Sequence, residues 1–479
     1  MSFLKELKIS RRDFLKLSGS AAFFASLDWR SIIKAAMAQV QQGLINIVWF
    51  EAQDCAGNTT ALLEATTPDL LDVLGGKSHL VGPGAVKLLF HETVMASWGT
   101  ETPAWIKELR DNPEKLQALL ESLDPQDPLR RTLEGYMALG YNPGLLLTSP
   151  IDILKLAEQG ALDPFVLVLE GSVPIDEKAG GPPGSDEFCY IGEEGGKVIS
   201  CAEWMRRILP RAAAVVTVGN CASYGGLVSN KVLEAPTEDV KSMVEGWSAK
   251  GWSPSPTGAV GFFDDPIRGF KGLVHLLPEA EPFRKFVDGE CVPEKPGQAD
   301  CRPAVAVPGC PANGQAQLRT LANLVLWVAG LMPLPELDEY WRPKWIYGKT
   351  VHEQCPRGAN YSAGDFRKNP GDPDYRCLFA VGCKGPISNC PWNKVGWING
   401  VGGPTRTGGV CIGCTMPGFT DAYEAFYEPL SAVESPTGRV AAASLVGAGI
   451  VGAAAAYGLA KLHEKKVKET GSKLEEEKA

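Results

Sequence analysis

Five short apolar runs recur along the first two thirds of the chain: "LINIVWF" (44–50), "VKLLF" (86–90), "FVLVLEG" (165–171), "AAVVTVG" (213–219) and "AVAVPG" (304–309). Each is strand-length and rich in β-formers, and amphipathic helical stretches separate them. That alternation predicts an α/β fold built on an open, largely parallel sheet. Residues 101–160 read as an added, mostly helical segment. Proline and tryptophan punctuate "LMPLPELDEYWRPKW" (331–345), which reads as a linker. Beyond it the chain is loop-rich and cysteine-rich, the pattern of a segment that folds around metal rather than around its own core. Further on, residues 440–460, "VAAASLVGAGIVGAAAAYGLA", form an uncharged run of about membrane-spanning length. The basic "KLHEKKVK" that follows belongs on the cytoplasmic side by the positive-inside rule. The polar end "ETGSKLEEEKA" reads as disordered.

Length and charge narrow the picture. The 479 residues allow two or three domains with a sizeable core. A net charge of −9 argues against a nucleic-acid partner, which needs a basic field. Near the start, Ser10-Arg11-Arg12-Asp13-Phe14-Leu15-Lys16 reads as a twin-arginine export signal, and Ala36-Met37-Ala38 offers a small-residue cleavage site. A leader over 1–38, a body outside the cytoplasmic membrane, an anchor at 440–460 and a cytoplasmic tail at 461–479 follow. Export of a folded protein suits a cofactor inserted in the cytoplasm.

The chain holds 13 cysteines, and their placement carries the chemistry. Cys55, Cys221 and Cys310 each sit just past the carboxyl end of a predicted strand, in "DCAGN", "GNCASYGG" and "PGCPANG". Those ends converge on one crevice in open α/β sheets, so three thiols from distant loops share one address. A lone buried cysteine is ordinary packing; three at strand ends describe a cluster site. Flanking glycines let backbone N–H groups approach cluster sulfurs. In the C-terminal part, His352-x-x-Cys355 with Cys377 and Cys383 makes a one-histidine, three-cysteine set. Structural zinc uses that combination too. Cys390, Cys411 and Cys414 leave only three thiolates, which suits a cuboidal cluster lacking one iron better than a closed four-coordinate zinc. No P-loop, dinucleotide fingerprint or complete nucleophile–base set appears.

The runs "LEGSVP", "VGNCASYGG", "VPGCPANG", "HEQCPRGANYSAGDF", "GCKGPISNCPWN" and "GGPTRTGGVCIGCTMPGF" resemble the signature stretches of the small subunit of [NiFe] hydrogenases, in the same order, over roughly residues 44–420. The leader and tail resemble those of exported, membrane-bound members. The resemblance implies a flavodoxin-like domain (39–335) carrying a proximal cluster, then a domain (336–430) carrying medial and distal clusters. It implies two [4Fe-4S] clusters and one [3Fe-4S] cluster, with the Ni-Fe centre in a separate large subunit. Electrons would leave toward a membrane cytochrome b or an iron–sulfur or quinone-linked redox subunit. A stand-alone exported iron–sulfur carrier is the alternative.

By matching motif, the distal cluster falls to His352, Cys355, Cys377 and Cys383, and the medial one to Cys390, Cys411 and Cys414. Pro404, seven residues before Cys411, matches the proline that replaces a fourth cysteine. Cys55, Cys221 and Cys310 are the proximal thiolates. Here the chain departs from the family's C-x-x-C, because Asn58 stands where a cysteine is usual. Asn58, or Asp54 through its carboxylate, could supply oxygen as a harder donor; Asn58 could instead cap the helix beginning "TTALLEA". Gly57 and Gly226 occupy the places of the extra cysteines of one oxygen-tolerant class. Cys189, Cys201, Cys291 and Cys301 are left without a role: an oxidising compartment permits pairing, such as Cys291 with Cys301, and plain burial serves as well. Glu51 and Glu170 sit near strand ends facing the crevice. His79, His91, His275 and His463 read as surface or structural.

Overall fold

The structure is a computed structural model that describes residues 45–70, 86–93, 102–138, 148–230, 257–294, 298–328 and 332–431 apart from 421, with isolated positions between and beyond them. The twin-arginine segment and the apolar run 440–460 lie outside the described residues. Among the described residues no helix is long and apolar enough to cross a membrane. The chain divides into two compact units between Trp345 and Ile346.

The first unit is built on five strands, β1 (Ile45–Glu51), β2 (Val86–His91), β3 (Phe165–Glu170), β4 (Ala214–Val218) and β5 (Ala304–Val307). Their order in the sheet is β2-β1-β3-β4-β5 and every pairing is parallel. This 2-1-3-4-5 order is that of flavodoxin-like folds, in which ligands bind beyond the carboxyl ends of the strands. All residues of β3, β4 and β5 are buried. Strands covered on both faces must be apolar throughout, which is why they stand out in the sequence as runs rather than alternations.

Eight helices matter for the site and its frame: α1 (Gly57–Leu62), α2 (Ala104–Asp111), α3 (Pro113–Ser122), α4 (Pro128–Ala138), α5 (Pro150–Glu158), α6 (Cys201–Ile208), α7 (Gly219–Tyr224) and α8 (Gly314–Val328). The expected helical segment between β2 and β3 is α2 to α5. Ser149 caps α5 and Ser200 caps α6, each side chain accepting the N–H three residues on.

The four cysteines that the sequence left without a role form two disulfides, Cys189–Cys201 and Cys291–Cys301. The first ties a short hairpin (Tyr190–Glu194 with Lys197–Ser200) to the first residue of α6. Plain burial, the alternative reading for these residues, is therefore replaced by pairing. Among its described residues the second unit contains only short helices, none longer than Gly358–Ala363. Small apolar clusters hold it, one around Tyr361, Phe366 and Phe379 and another around Val351, Leu378 and Val381.

Candidate metal centres

The sheet register explains how distant cysteines meet. Glu51 pairs with Glu170, Glu170 with Val218, and Val218 with Val307, so these four residues form one row across the carboxyl edge. Cys55, Cys221 and Cys310 follow three or four residues beyond that row. Burial pushes the Cys221 thiol up to about 11, and the neighbouring Cys310 and Cys55 push it the same way. The Cys310 thiol, partly withdrawn from solvent although the residue keeps exposed surface, is raised first by that desolvation and then by Cys55. Thiols that feel one another in this way line one locus. Two glycines leave room for the sulfurs. A Cβ on Gly57 would stand 2.9 Å from Cys55 Sγ, and one on Gly226 would stand 2.9 Å from Cys221 Sγ. Gly226 also has φ +53°, which disfavours any side chain.

Beneath the thiols lies a carboxylate network. Glu170 is fully buried. Its Oε1 accepts the N–H groups of Asn58 (3.1 Å) and Thr59 (3.2 Å), and its Oε2 accepts Trp49 Nε1 (2.9 Å) and Thr59 Oγ1 (2.7 Å). Glu170 thus satisfies the free N–H groups at the start of α1, where a negative charge is also favoured by the helix dipole. Asn58 does not cap this helix. It is the second residue of α1, the residue before α1 is Ala56 in a left-handed conformation, and Asn58 Oδ1 accepts the N–H of Ala312 at 2.8 Å. Asn58 therefore ties the loop of Cys55 to the loop of Cys310.

Glu51 accepts the N–H of Thr93 at 2.7 Å and lies 3.6 Å from His91 Nδ1. His91, expected at the surface or in a structural role, is 1% exposed and stacked on Trp49. Burial lowers it to about 4, so the imidazole is neutral there. Asp54 is raised to about 7 by burial, then by the charges of Glu170 and Glu51. His275 is half-buried between Asp264 (2.8 Å) and Asp288 (3.0 Å) and plays a structural part. His79 and His463 lie outside the described residues.

In the second unit His352, Cys355, Cys377 and Cys383 line one small cavity of about 20 Å³. Val351, Leu378, Phe379 and Pro386 make its walls apolar. Burial, before any charge, pushes Cys377 and Cys383 up to about 12, and lowers the half-buried His352 so that its ring is neutral and able to ligate. The backbone N–H groups of Arg357 and Gly385 point at Cys355 Sγ and Cys383 Sγ, each at 3.4 Å. Cys390 and Cys411 belong to the same apolar cluster as Cys383. Cys411 is pushed up to about 11 by burial and then by Cys414. Pro404 opens a four-residue helix, and the next residue, Thr405, sets its hydroxyl 3.4 Å from Cys355 Sγ.

These donor sets fit clusters better than bare ions. Zn–S bonds of about 2.3 Å in a tetrahedron bring sulfurs within roughly 4 Å of one another. Among the described residues the only three potential ligands with atoms mutually within 4.8 Å are Glu51, Asp54 and Glu170, and no cysteine set is that tight. Thiols raised to 11–12 surrender their protons only to a strong cationic centre. Wide spacing, apolar walls and N–H groups aimed at sulfur suit an iron–sulfur cubane.

Comparison with known proteins agrees with this chemistry. The family model for the NADH ubiquinone oxidoreductase 20 Kd subunit matches residues 55–324, and that for the C-terminal part of the NiFe/NiFeSe hydrogenase small subunit matches 347–427. The quinone-reactive Ni/Fe-hydrogenase small chain of Wolinella succinogenes is 24% identical over 89% of this chain and 86% of its own length. The periplasmic [NiFe] hydrogenase small subunit 1 of Nitratidesulfovibrio vulgaris is 24% identical over 88% and 93%. Among solved structures, the actinobacterial-type NiFe-hydrogenase of Ralstonia eutropha H16 is similar with a TM-score of 0.53 and 27% identity, covering 89% of this chain and 92% of that one.

Proposed function

The chain belongs to the family of the NADH ubiquinone oxidoreductase 20 Kd subunit, and we propose that within it this protein is the electron-transfer subunit of an exported, membrane-bound [NiFe] hydrogenase. It is a hydrogenase small subunit that works in a complex with a catalytic large subunit. When bound, the iron–sulfur clusters supply the one-electron carriers through which electrons from H2 oxidation at the large subunit's Ni-Fe site reach a membrane redox partner. The observation that carries this reading is the set of cysteine donors too widely spaced for one ion, enclosed in apolar surroundings with N–H groups directed at sulfur.

The protein's own residues do four things. Cys55, Cys221 and Cys310 hold the proximal cluster, and an oxygen from Asn58 or Asp54 completes it. His352, Cys355, Cys377 and Cys383 hold a distal [4Fe-4S] cluster. Cys390, Cys411 and Cys414 hold a medial [3Fe-4S] cluster, with Pro404 in place of a fourth ligand. Apolar walls exclude water, which with the N–H groups at sulfur sets the potentials. His352 marks the exit side toward a cytochrome b or an iron–sulfur or quinone-linked subunit.

The two disulfides support residence of the first unit in an oxidising compartment, in line with the twin-arginine segment. Residues 440–460 serve as the membrane anchor in this reading. Anaerobic purification from membranes is the test: a brown complex should carry this chain with a larger, nickel-containing subunit. Substituting Arg11 and Arg12 by lysine should leave the assembled, metal-loaded subunit in the cytoplasm. A colourless protein without nickel, or export unchanged in the lysine variant, would sink the corresponding half of the reading.

A further inference from the structure

Arg357 follows Cys355 by two residues and is 3% exposed. Backbone carbonyls receive its guanidinium. Nε donates to Thr405 O at 2.7 Å, and Nη1 donates to Arg376 O at 2.9 Å and Asp374 O at 3.3 Å. The ring of Tyr375 lies against it, with Cζ 4.2 Å from the centroid. The nearby carboxylates serve other cations: Asp374 pairs with Arg367 at 3.0 Å and Asp365 with Arg376 at 3.3 Å. Among the described residues Arg357 has no carboxylate in ion-pair contact. A full positive charge is thus held by dipoles and a π face alone, on the wall of the cavity shared by His352, Cys355, Cys377 and Cys383.

Such a charge is expensive to bury unless something else in the site answers it. An arginine side chain carries a fixed positive charge in proteins, so its field is permanent. The ligand set across the cavity supplies three thiolates, and reduction adds one more negative charge there. A fixed cation in the lining of that cavity stabilises the reduced form more than the oxidised one, and low-dielectric walls strengthen the effect.

We propose that Arg357 is a positioning residue whose buried charge raises the reduction potential of the distal cluster, making the last site of the chain the better electron acceptor. The proposal rests on the distal reading above and deepens it. Arg357 also ties Thr405, whose hydroxyl faces Cys355 Sγ, to the 374–376 loop, so its structural contribution must be separated from its charge.

The experiment is a redox titration of the purified hydrogenase complex, followed by low-temperature spin resonance, for the wild type and four variants. Arg357→Met and Arg357→Gln remove the charge and should move the distal midpoint potential to more negative values. Arg357→Lys keeps the charge and should hold the wild-type potential, although it loses the forked hydrogen bonds. Tyr375, 55% exposed, can be changed without opening the core. Tyr375→Glu sets a carboxylate beside the guanidinium and should also move the potential negative. If Arg357→Lys shifts the potential as far as Arg357→Met, the hydrogen bonds and not the charge are responsible, and the proposal fails. It fails equally if the uncharged variants leave the potential unmoved. Should neither uncharged variant assemble, Tyr375→Glu decides alone, an unmoved potential overturning the proposal. A wild-type complex with no distal four-iron signal would instead remove the distal reading itself.

Discussion

In the α/β unit the sheet stands apart from its thiols. Strands β3, β4 and β5 are buried along their whole length, while Cys55 and Cys310 sit exposed at the carboxyl edge. In the C-terminal unit four thiols, Cys377, Cys383, Cys390 and Cys411, are part of the interior. Cys377 packs with Tyr361, Phe366 and Phe379, and Cys383, Cys390 and Cys411 share one cluster with Val351 and Leu378. One unit therefore carries its candidate metal site on a finished fold, whereas the proposed metal would finish the other. A large parallel sheet buries enough apolar surface to fold unaided. A segment of four- and six-residue helices around two small apolar clusters does not, and metal binding must supply the difference.

Removing iron should sharpen the contrast between the units most strongly. After anaerobic chelation, hydrogen exchange should lose protection throughout residues 346–431 while strands 165–170, 214–218 and 304–307 keep theirs. Equal loss in both units would contradict the contrast. A smaller effect, confined to the first unit, is expected from its crosslinks. Replacing Cys291 and Cys301 by serine should cost about 3 kcal/mol in denaturant unfolding of the α/β unit, the scale of a short closed loop. The iron content should be unchanged.

Asn58→Ala removes the acceptor for the buried N–H of Ala312. A loss of about 2 kcal/mol is expected from leaving that donor unsatisfied. The proximal spectrum read on the same variant, beside Asp54→Ala, assigns the oxygen ligand to whichever substitution alters it; if both leave it unchanged, an oxygen ligand from these residues is ruled out. Pro404→Cys should do least to stability and most to one spectrum, turning the three-iron signal into a four-iron one while unfolding midpoints stay put.

The parts of the molecule legible in the sequence were those that one segment encodes by itself. Strands buried on both faces must be continuous apolar runs, so "FVLVLEG" and "AAVVTVG" announced β3 and β4, and the cysteines just beyond β1, β4 and β5 marked the sheet edge at which the proximal site is proposed. What depends on partners far along the chain was hidden. Glu170 caps α1 only because its strand lies in register with Glu51, 119 residues earlier. The pairing of Cys189 with Cys201 follows from the hairpin between them; their sequence separation of 12 was the signal that could have found it. His91 looked like any loop-edge histidine until Trp49 covered it. Nothing in "CPRG" signals that Arg357 is buried, because its burial is set by Thr405 and the 374–376 loop.

The most direct test of the central claim, that this chain holds a row of iron–sulfur clusters in the hydrogenase small-subunit arrangement, is the low-temperature spin-resonance spectrum of the anaerobically purified complex. As isolated and oxidised, the protein should show a three-iron signal from the medial site. On reduction, two four-iron clusters should appear. A spectrum without iron–sulfur signals, or one with four-iron clusters alone, would contradict the account.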